Sequence, residues 1–288
     1  MRFFLVPALA LLAACSSAPP PAAAPPSAPA PLPQAPADSP RAVCNPSLDD
    51  GGIFANADLE GVFVIRDAQN DCVRTTDTLL ADTGFLPQST FKIPNALIGL
   101  ETGVLTGSDV FVWNGEKHSV EAWNGNQDLE SAMRASCVWC FQDVARRIGE
   151  DRMRKWLDDL DYGNEKVEGA IDRFWLEGSL RITPRQQVDF VRRSLDGKLP
   201  VRKENVERVW GILEIERTGD SVWYGKTGLG SQDGRIVGWL VGYVERDGKR
   251  YEYATLVRGG KSTDDEFNRV MPLRKAITRA LLEKVGAL

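Results

Sequence analysis

The chain has 288 residues, 43% of them hydrophobic and 26% charged, with a formal net charge of −5. That length exceeds a small disulfide-stapled scaffold and fits one large domain or two modest ones, while the acidic balance argues against a nucleic-acid binder. No apolar run reaches the roughly 18–20 residues that span a bilayer, the single histidine (His118) excludes a poly-histidine metal site, and the five cysteines offer no paired CxxC units for a zinc centre.

In chain order, Arg2 and the apolar stretch Phe3 to Ala14 have the length and charge of a signal peptide, so residues 1–14 are set apart from the fold. Leu12-Ala13-Ala14-Cys15 resembles the lipobox of bacterial lipoproteins, in which the cysteine is acylated and becomes the mature N-terminus. The alternative is an ordinary secretory signal with Cys15 incidental. Ser16 following it implies, by the same resemblance, retention on the periplasmic side of the outer membrane. Residues 16–40 hold 10 of the 17 prolines. Proline at this density forms neither helix nor ladder, so residues 15–42 read as a polyproline II tether. The folded domain is expected over 43–288. In an exported, oxidising setting, Cys44 and Cys72 stand where a disulfide could staple the first hairpin; the sequence leaves their oxidation open. Cys137 and Cys140, three apart on an expected helix, read as packed thiols.

Gly61 to Asp67 reads as a strand. Helical periodicity then marks Phe91 to Glu101, Leu129 to Gly149, Arg152 to Leu160 and Pro184 to Leu195. Beyond residue 220 the pattern turns to strands, over Val222 to Lys226, Ile236 to Val244 and Tyr251 to Leu256, with a hairpin signal at Arg246-Asp247-Gly248-Lys249. Thr263-x-x-Glu266 resembles a capping box opening a C-terminal helix through Val285. Strands at both ends with helices between predict an antiparallel sheet flanked by terminal helices, plus a helical lobe, with chemistry in the cleft. The basic residues Arg146, Arg147, Arg152 and Arg154 read as a solvated helix face, and His118 as a surface or loop residue.

The chemistry begins at Ser89. In Pro87-Gln88-Ser89-Thr90-Phe91-Lys92 the lysine stands one turn after the serine, on the same face, where a base can take the hydroxyl proton. Alone this spacing is common. Ser136-Cys137-Val138 adds a second hydroxyl at a helix start, and Lys226-Thr227-Gly228 ends a strand where glycine lets a ligand approach the backbone. Tyr162-Gly163-Asn164 and Phe174-Trp175-Leu176-Glu177-Gly178 lie between them. Together with Trp113-Asn114-Gly115, Asn126-Gln127-Asp128-Leu129 and Pro272-Leu273-Arg274-Lys275, this set resembles the class D, oxacillinase-type serine β-lactamases, over residues 50–285.

The resemblance implies a two-lobe penicillin-recognising fold and a Ser89 nucleophile acting on β-lactam antibiotics. It implies no cofactor beyond carbon dioxide, carried by Lys92 as an N-carboxylate and held by the Trp175 indole. Ser136 would relay a proton to the leaving nitrogen, and Lys226, Thr227 and Gly228 would line the carboxylate side with Arg274. Backbone N–H groups of Ser89 and Leu229 would form the oxyanion hole, and Val138 would gate water. Leu229 departs from the aromatic that many relatives carry, which bears on substrate range. Tyr162 and Asn164 are expected to shape the site. Three rivals share the motifs: a penicillin sensor that deacylates slowly, a cell-wall transpeptidase, and an inert binding lipoprotein. The leader without further membrane spans weighs against the sensor, the S-x-V motif against the transpeptidase, and the intact Ser89, Lys92, Ser136 and Lys226 against the third. Oligomeric state stays open, a homodimer included.

Overall fold

The computed structural model describes residues 44–288. The expected leader (1–14), the Cys15 lipidation and the tether to residue 42 lie outside the described residues. Strands from the two ends of the chain meet in one sheet. β1 (Glu60–Asp67) and β2 (Cys72–Thr75) come from the start. β3 (Glu214–Thr218), β4 (Ser221–Gln232), β5 (Arg235–Arg246) and β6 (Lys249–Lys261) come from the last third. The order is β2-β1-β6-β5-β4-β3, antiparallel throughout. β1 lies against β6 with Glu60 opposite Arg258 and Val64 opposite Ala254.

Helices cover both faces, which is why β1 and β5 are buried along nearly their whole length and carry few polar side chains. On one face α1 (Ile53–Asn56) and α9 (Asp264–Lys284) pack over Phe63, Trp223, Leu240 and Tyr253. On the other lie α2 (Thr78–Ala81), α3 (Lys92–Glu101), α4 (Leu129–Arg134), α5 (Val138–Ile148), α6 (Glu150–Asp159), α7 (Pro184–Leu195) and α8 (Lys203–Ile212). They share a larger core with Val62, Val64, Trp239 and Leu256. α3 is buried from Lys92 to Leu100 and runs through the middle of this lobe. α7 opens on Thr183, whose hydroxyl accepts from the Gln186 N–H while Gln186 caps in return, with Pro184 at the first helical position.

Several expectations need correction. Residues 129–149 form two helices, because Ser136 takes a left-handed backbone (φ 55°) that no α-helix continues through. Lys226-Thr227-Gly228 lies in the middle of β4 instead of at a strand end. α8 and β3 have no counterpart in the sequence reading. Thr263 caps α9 through the Glu266 N–H, but the Glu266 carboxylate turns to the Gly260 N–H and Arg269, so the box is half formed. Cys44 and Cys72 are joined, fixing the start of the domain to β2. Cys137 and Cys140 are also joined, with Cα atoms 5.5 Å apart, and are not packed thiols. The reason is the helix break: Cys137 is the N-cap of α5, with ψ 112°, and is free of the helical geometry assumed for the pair.

Candidate active site

Ser89 sits in a single 3-10 turn, Gln88–Phe91, that feeds directly into α3, so Lys92 is the first residue of the helix. The Lys92 Nζ donates to Ser89 Oγ at 2.9 Å. Lys92 is 1% exposed, and its amine stands 5.6 Å from the centre of the Phe141 ring. Burial without a counter-charge disfavours the ammonium and pushes it down to about 7. A neutral amine one hydrogen bond from a hydroxyl is a ready proton acceptor, which an exposed lysine is not.

The turn is clamped from three sides. The Gln88 N–H donates to the Trp175 carbonyl and its side-chain amide to the Leu176 carbonyl, strapping the 174–178 segment onto the serine. Phe91 stacks on Trp175 at 5.1 Å, and Phe174 meets it edge-on. From α7, Gln187 donates to Thr90 Oγ1. From the sheet, β4 comes so close that a Cβ on Gly228 would stand 3.0 Å from the Pro87 carbonyl oxygen. On its Cβ side Gly228 therefore makes room for the nucleophile turn. Gln88 adopts φ 51° within this clamp, a conformation costing roughly 1–3 kcal/mol in a residue with a Cβ.

Ser136 lies between α4 and α5, and its Oγ accepts from the Lys226 Nζ at 2.8 Å. Lys226 is 3% exposed on β4. Burial lowers its ammonium well below the ordinary lysine range, and the nearby charges of Lys92 and Arg274 lower it further. Arg274 is also buried, on α9, donating to the carbonyls of Met271 and Gly228, and desolvation brings it to about 10. Gly238 on β5 makes room for it, since a Cβ there would come within 2.8 Å of the Arg274 Cδ. Arg274 is thus a held, desolvated guanidinium and not a solvated one. Among the described residues, Lys92, Lys226 and Arg274 take part in no ion pair, whereas most other arginines have a carboxylate. Arg274, with Lys226 beside it, is a buried positive centre without a carboxylate and forms a receptor for an anion, while the Lys92 amine is the base. Lys226 and Thr227 also line a cleft of about 290 Å³, together with Met133, Arg134, Glu214 and Lys275.

A model of the family described as "Transpeptidase: Penicillin binding protein transpeptidase domain" matches residues 62–283. The chain is 38% identical over 237 residues to beta-lactamase OXA-10 of Pseudomonas aeruginosa, covering 81% of this chain and 87% of that protein. It is 38% identical over 231 residues to the probable beta-lactamase YbxI of Bacillus subtilis, covering 80% and 82%. The crystal structure of the class D β-lactamase YbXI from Nostoc superposes with a TM-score of 0.78 at 35% identity, over 83% of this chain and 99% of that one. The chain belongs to the class D β-lactamases.

Within this class D β-lactamase the remaining motif residues fall into two groups. Val138 starts α5, half-buried, directly after the Ser136 loop. Thr227 and Leu229 are half-buried on β4, where the two-residue alternation sets them on the face opposite Lys226. Leu229 there packs partly against the α9-side core. The other motifs are staples. Asn126 accepts from the Trp113 N–H, Phe111 bridges to Gln127, and Asp128 caps α4, which folds the 111–128 loop onto the helix before Ser136. Asn164 spans its loop by accepting from the Arg181 N–H and donating to the Ser179 carbonyl, while Tyr162 is buried between Phe91 and Phe190. His118 is a loop residue, half-buried between Trp123 and Trp139. Arg146, Arg147, Arg152 and Arg154 are exposed, three of them paired with carboxylates.

Sequence reasoning missed Gln88, Phe141, Gln187 and Trp239, whose indole N–H donates to the Leu86 carbonyl just before the turn. None carries a local signal, because each reaches the site from a separate element.

An unfolded Lys92 keeps its proton up to about its ordinary value of 10.5, whereas the folded one releases it near 7. Between those values the unfolded chain binds more protons, so the contribution of this position to stability is lowest below pH 7 and rises with pH across that window. In buffer free of carbon dioxide, Lys92→Met is expected to raise the urea midpoint most at pH 6 and progressively less toward pH 10. A difference constant over that range would show that the amine is not desolvated.

Proposed function

We propose that this enzyme hydrolyses the β-lactam amide through an acyl-enzyme on Ser89. The observation that carries the reading is the buried Ser89–Lys92 pair set among unpaired cations: a nucleophile with its base, beside a receptor for a substrate carboxylate. Ser89 Oγ attacks the lactam carbonyl carbon as its proton passes to the base at Lys92. The backbone N–H groups of Ser89 and Leu229 receive the oxyanion. When the C–N bond breaks, the ring nitrogen takes a proton through Ser136, which Lys226 resupplies. Arg274, Lys226 and Thr227, with the backbone at Gly228, hold the substrate carboxylate. The base returns its first proton through Lys226 and Ser136, so it is free when water attacks the ester carbonyl; it takes the proton of the water and gives it to the Ser89 oxygen as the ester C–O bond breaks.

The residues around Lys92 suit addition of carbon dioxide to its nitrogen. An amine reacts only when neutral, and burial brings Lys92 to about 7. The Trp175 indole N–H is buried and has no acceptor in the protein, which leaves a donor for an anion there. Carbon dioxide on Lys92, as the family resemblance implies, supplies a carboxylate base for both half-reactions. Val138 is assigned the control of water at this position. Upstream, Cys15 is the proposed site of lipidation, anchoring the enzyme to the periplasmic side of the outer membrane on the 16–42 tether; the support is the Leu12-Ala13-Ala14-Cys15 sequence and the proline density that follows.

The purified protein is expected to hydrolyse a chromogenic cephalosporin, and Ser89→Ala to abolish turnover by at least about a thousandfold with the thermal midpoint little changed. Intact-mass analysis with a slow β-lactam should place the adduct on the Ser89 peptide; an adduct elsewhere would overturn the nucleophile assignment. Labelled bicarbonate should give a carbonyl NMR signal in the wild type that Lys92→Ala lacks, and acidified, degassed enzyme should regain activity on adding bicarbonate. Full activity without bicarbonate and without that signal would leave Lys92 a plain amine base. For the anchor, Cys15→Ser should move the protein from the membrane to the soluble periplasmic fraction at unchanged specific activity. A wild type that fractionates as soluble, or lacks an N-terminal peptide of lipidated mass, would refute the lipoprotein reading.

A further inference from the structure

The Cys137–Cys140 disulfide lies inside the motif that carries Ser136 and Val138, and nothing in the chemistry above uses it. We propose that this disulfide is a positioning element of the active site: it locks the junction between α4 and α5 so that Ser136 is held left-handed with its hydroxyl on Lys226. The proposal rests on the functional reading above for its kinetic consequence, but not for its structural one.

The chain reaches Ser136 from α4 and leaves it into α5, and the helices are kept apart by the left-handed Ser136 and by Cys137, whose ψ is 112°. The Ser136 φ of 55° is uncommon for a residue with a Cβ and must be imposed by its surroundings. On the α4 side the Ser136 N–H donates to the Met133 carbonyl at 3.2 Å and the Cys137 N–H to the Ala132 carbonyl at 2.8 Å. On the α5 side the hold is the cross-link. It ties the residue after Ser136 to the first turn of α5, and the Cys137 Sγ also accepts from the Cys140 N–H at 3.3 Å. Both cysteines are fully buried. One residue beyond Cys140, the Phe141 carbonyl accepts from Asn95 on α3, and its ring faces the Lys92 amine. The bridge therefore connects the seat of Ser136 to the helix that walls Lys92.

The span of the cross-link indicates what it does. Cys44–Cys72 closes a separation of 28 residues and restricts the unfolded chain substantially, whereas Cys137–Cys140 closes a separation of 3 and removes far less unfolded-state entropy. Its weight falls on local geometry more than on global stability. A second way to hold the start of α5 would be capping alone, since the sulfur also serves as N-cap acceptor, and a serine in that place would cap without cross-linking.

That difference gives the test, made on the full-length protein with two double variants, Cys137→Ala/Cys140→Ala and Cys137→Ser/Cys140→Ala. Well below the thermal midpoint of each, kcat for a chromogenic cephalosporin is expected to fall at least about tenfold in both, with KM changed less than about threefold, because Ser136 is assigned to proton delivery and not to binding. Recovery of wild-type kcat by the serine-capped variant would overturn the brace in favour of a plain cap, and wild-type kcat in both would remove any role. A crystal structure of the alanine variant judges the geometry without recourse to activity. A relaxed Ser136 with its hydroxyl away from Lys226 is expected, and a left-handed Ser136 still bonded to Lys226 would overturn the proposal. A wild type that hydrolyses no β-lactam would defeat the functional reading, while that structure would still decide the brace.

Discussion

Burying an amine with no carboxylate beside it is costly, and Lys92 is held in that condition at 1% exposure. An ammonium in such a place must be paired or give up its proton, and the surroundings of Lys92 offer a hydroxyl and aromatic rings instead of an anion. The rest of the lobe keeps water out. Phe91 and Trp175 stack over one side, Phe141 closes another, and α3 is buried around its whole circumference. Loosening any of these walls readmits water, restores an ordinary lysine, and removes the base.

The same economy extends across the site. The protein carries more acids than bases, yet its acids are distributed in pairs such as Asp82–Arg185, Glu60–Arg258 and Glu216–Arg279, mostly at the surface. Screened and solvated, such pairs contribute little individually. Lys226 and Arg274 are withheld from that pairing and desolvated, so a small excess of positive charge acts in a low-dielectric cleft, where it is felt strongly. Net charge therefore says little about what this site attracts; the location of the few unpaired charges says more.

The parts legible in the sequence were those with local causes. Pro184 to Leu195 and the Arg246–Lys249 hairpin stand where periodicity and turn residues put them. Ser89, Lys92, Ser136 and Lys226 were legible because their chemistry fixes spacing or motif, and the fold brings them into two hydrogen-bonded pairs. The break at Ser136 was not, since Leu129 to Ile148 keeps a helical apolar pattern across it and only a non-local contact to Lys226 and the bond at Cys137 reveal the turn. Likewise, α8 contributes Val206, Val209 and Trp210 to the core at helical spacing, but three apolar positions in a ten-residue segment are a short signal. Gln88 and Gln187 look like any polar residues until the structure shows which carbonyl and hydroxyl they satisfy.

The sheet order has a temporal meaning. Glu60 on β1 lies opposite Arg258 on β6 and is bonded to it across 198 residues of chain. β4, which seats the serine turn, is itself made of residues 221–232. Contacts so distant in sequence form late and slowly, because the loop between them must be closed before they are rewarded. A chain whose last third has not yet joined the sheet has no β4 against Pro87 and Thr90, and its Lys92 is in water as an ordinary ammonium. Nucleophile and base are adjacent in the sequence from the start, but they become reactive together only when the two ends of the domain have met, so reactivity is the final product of folding.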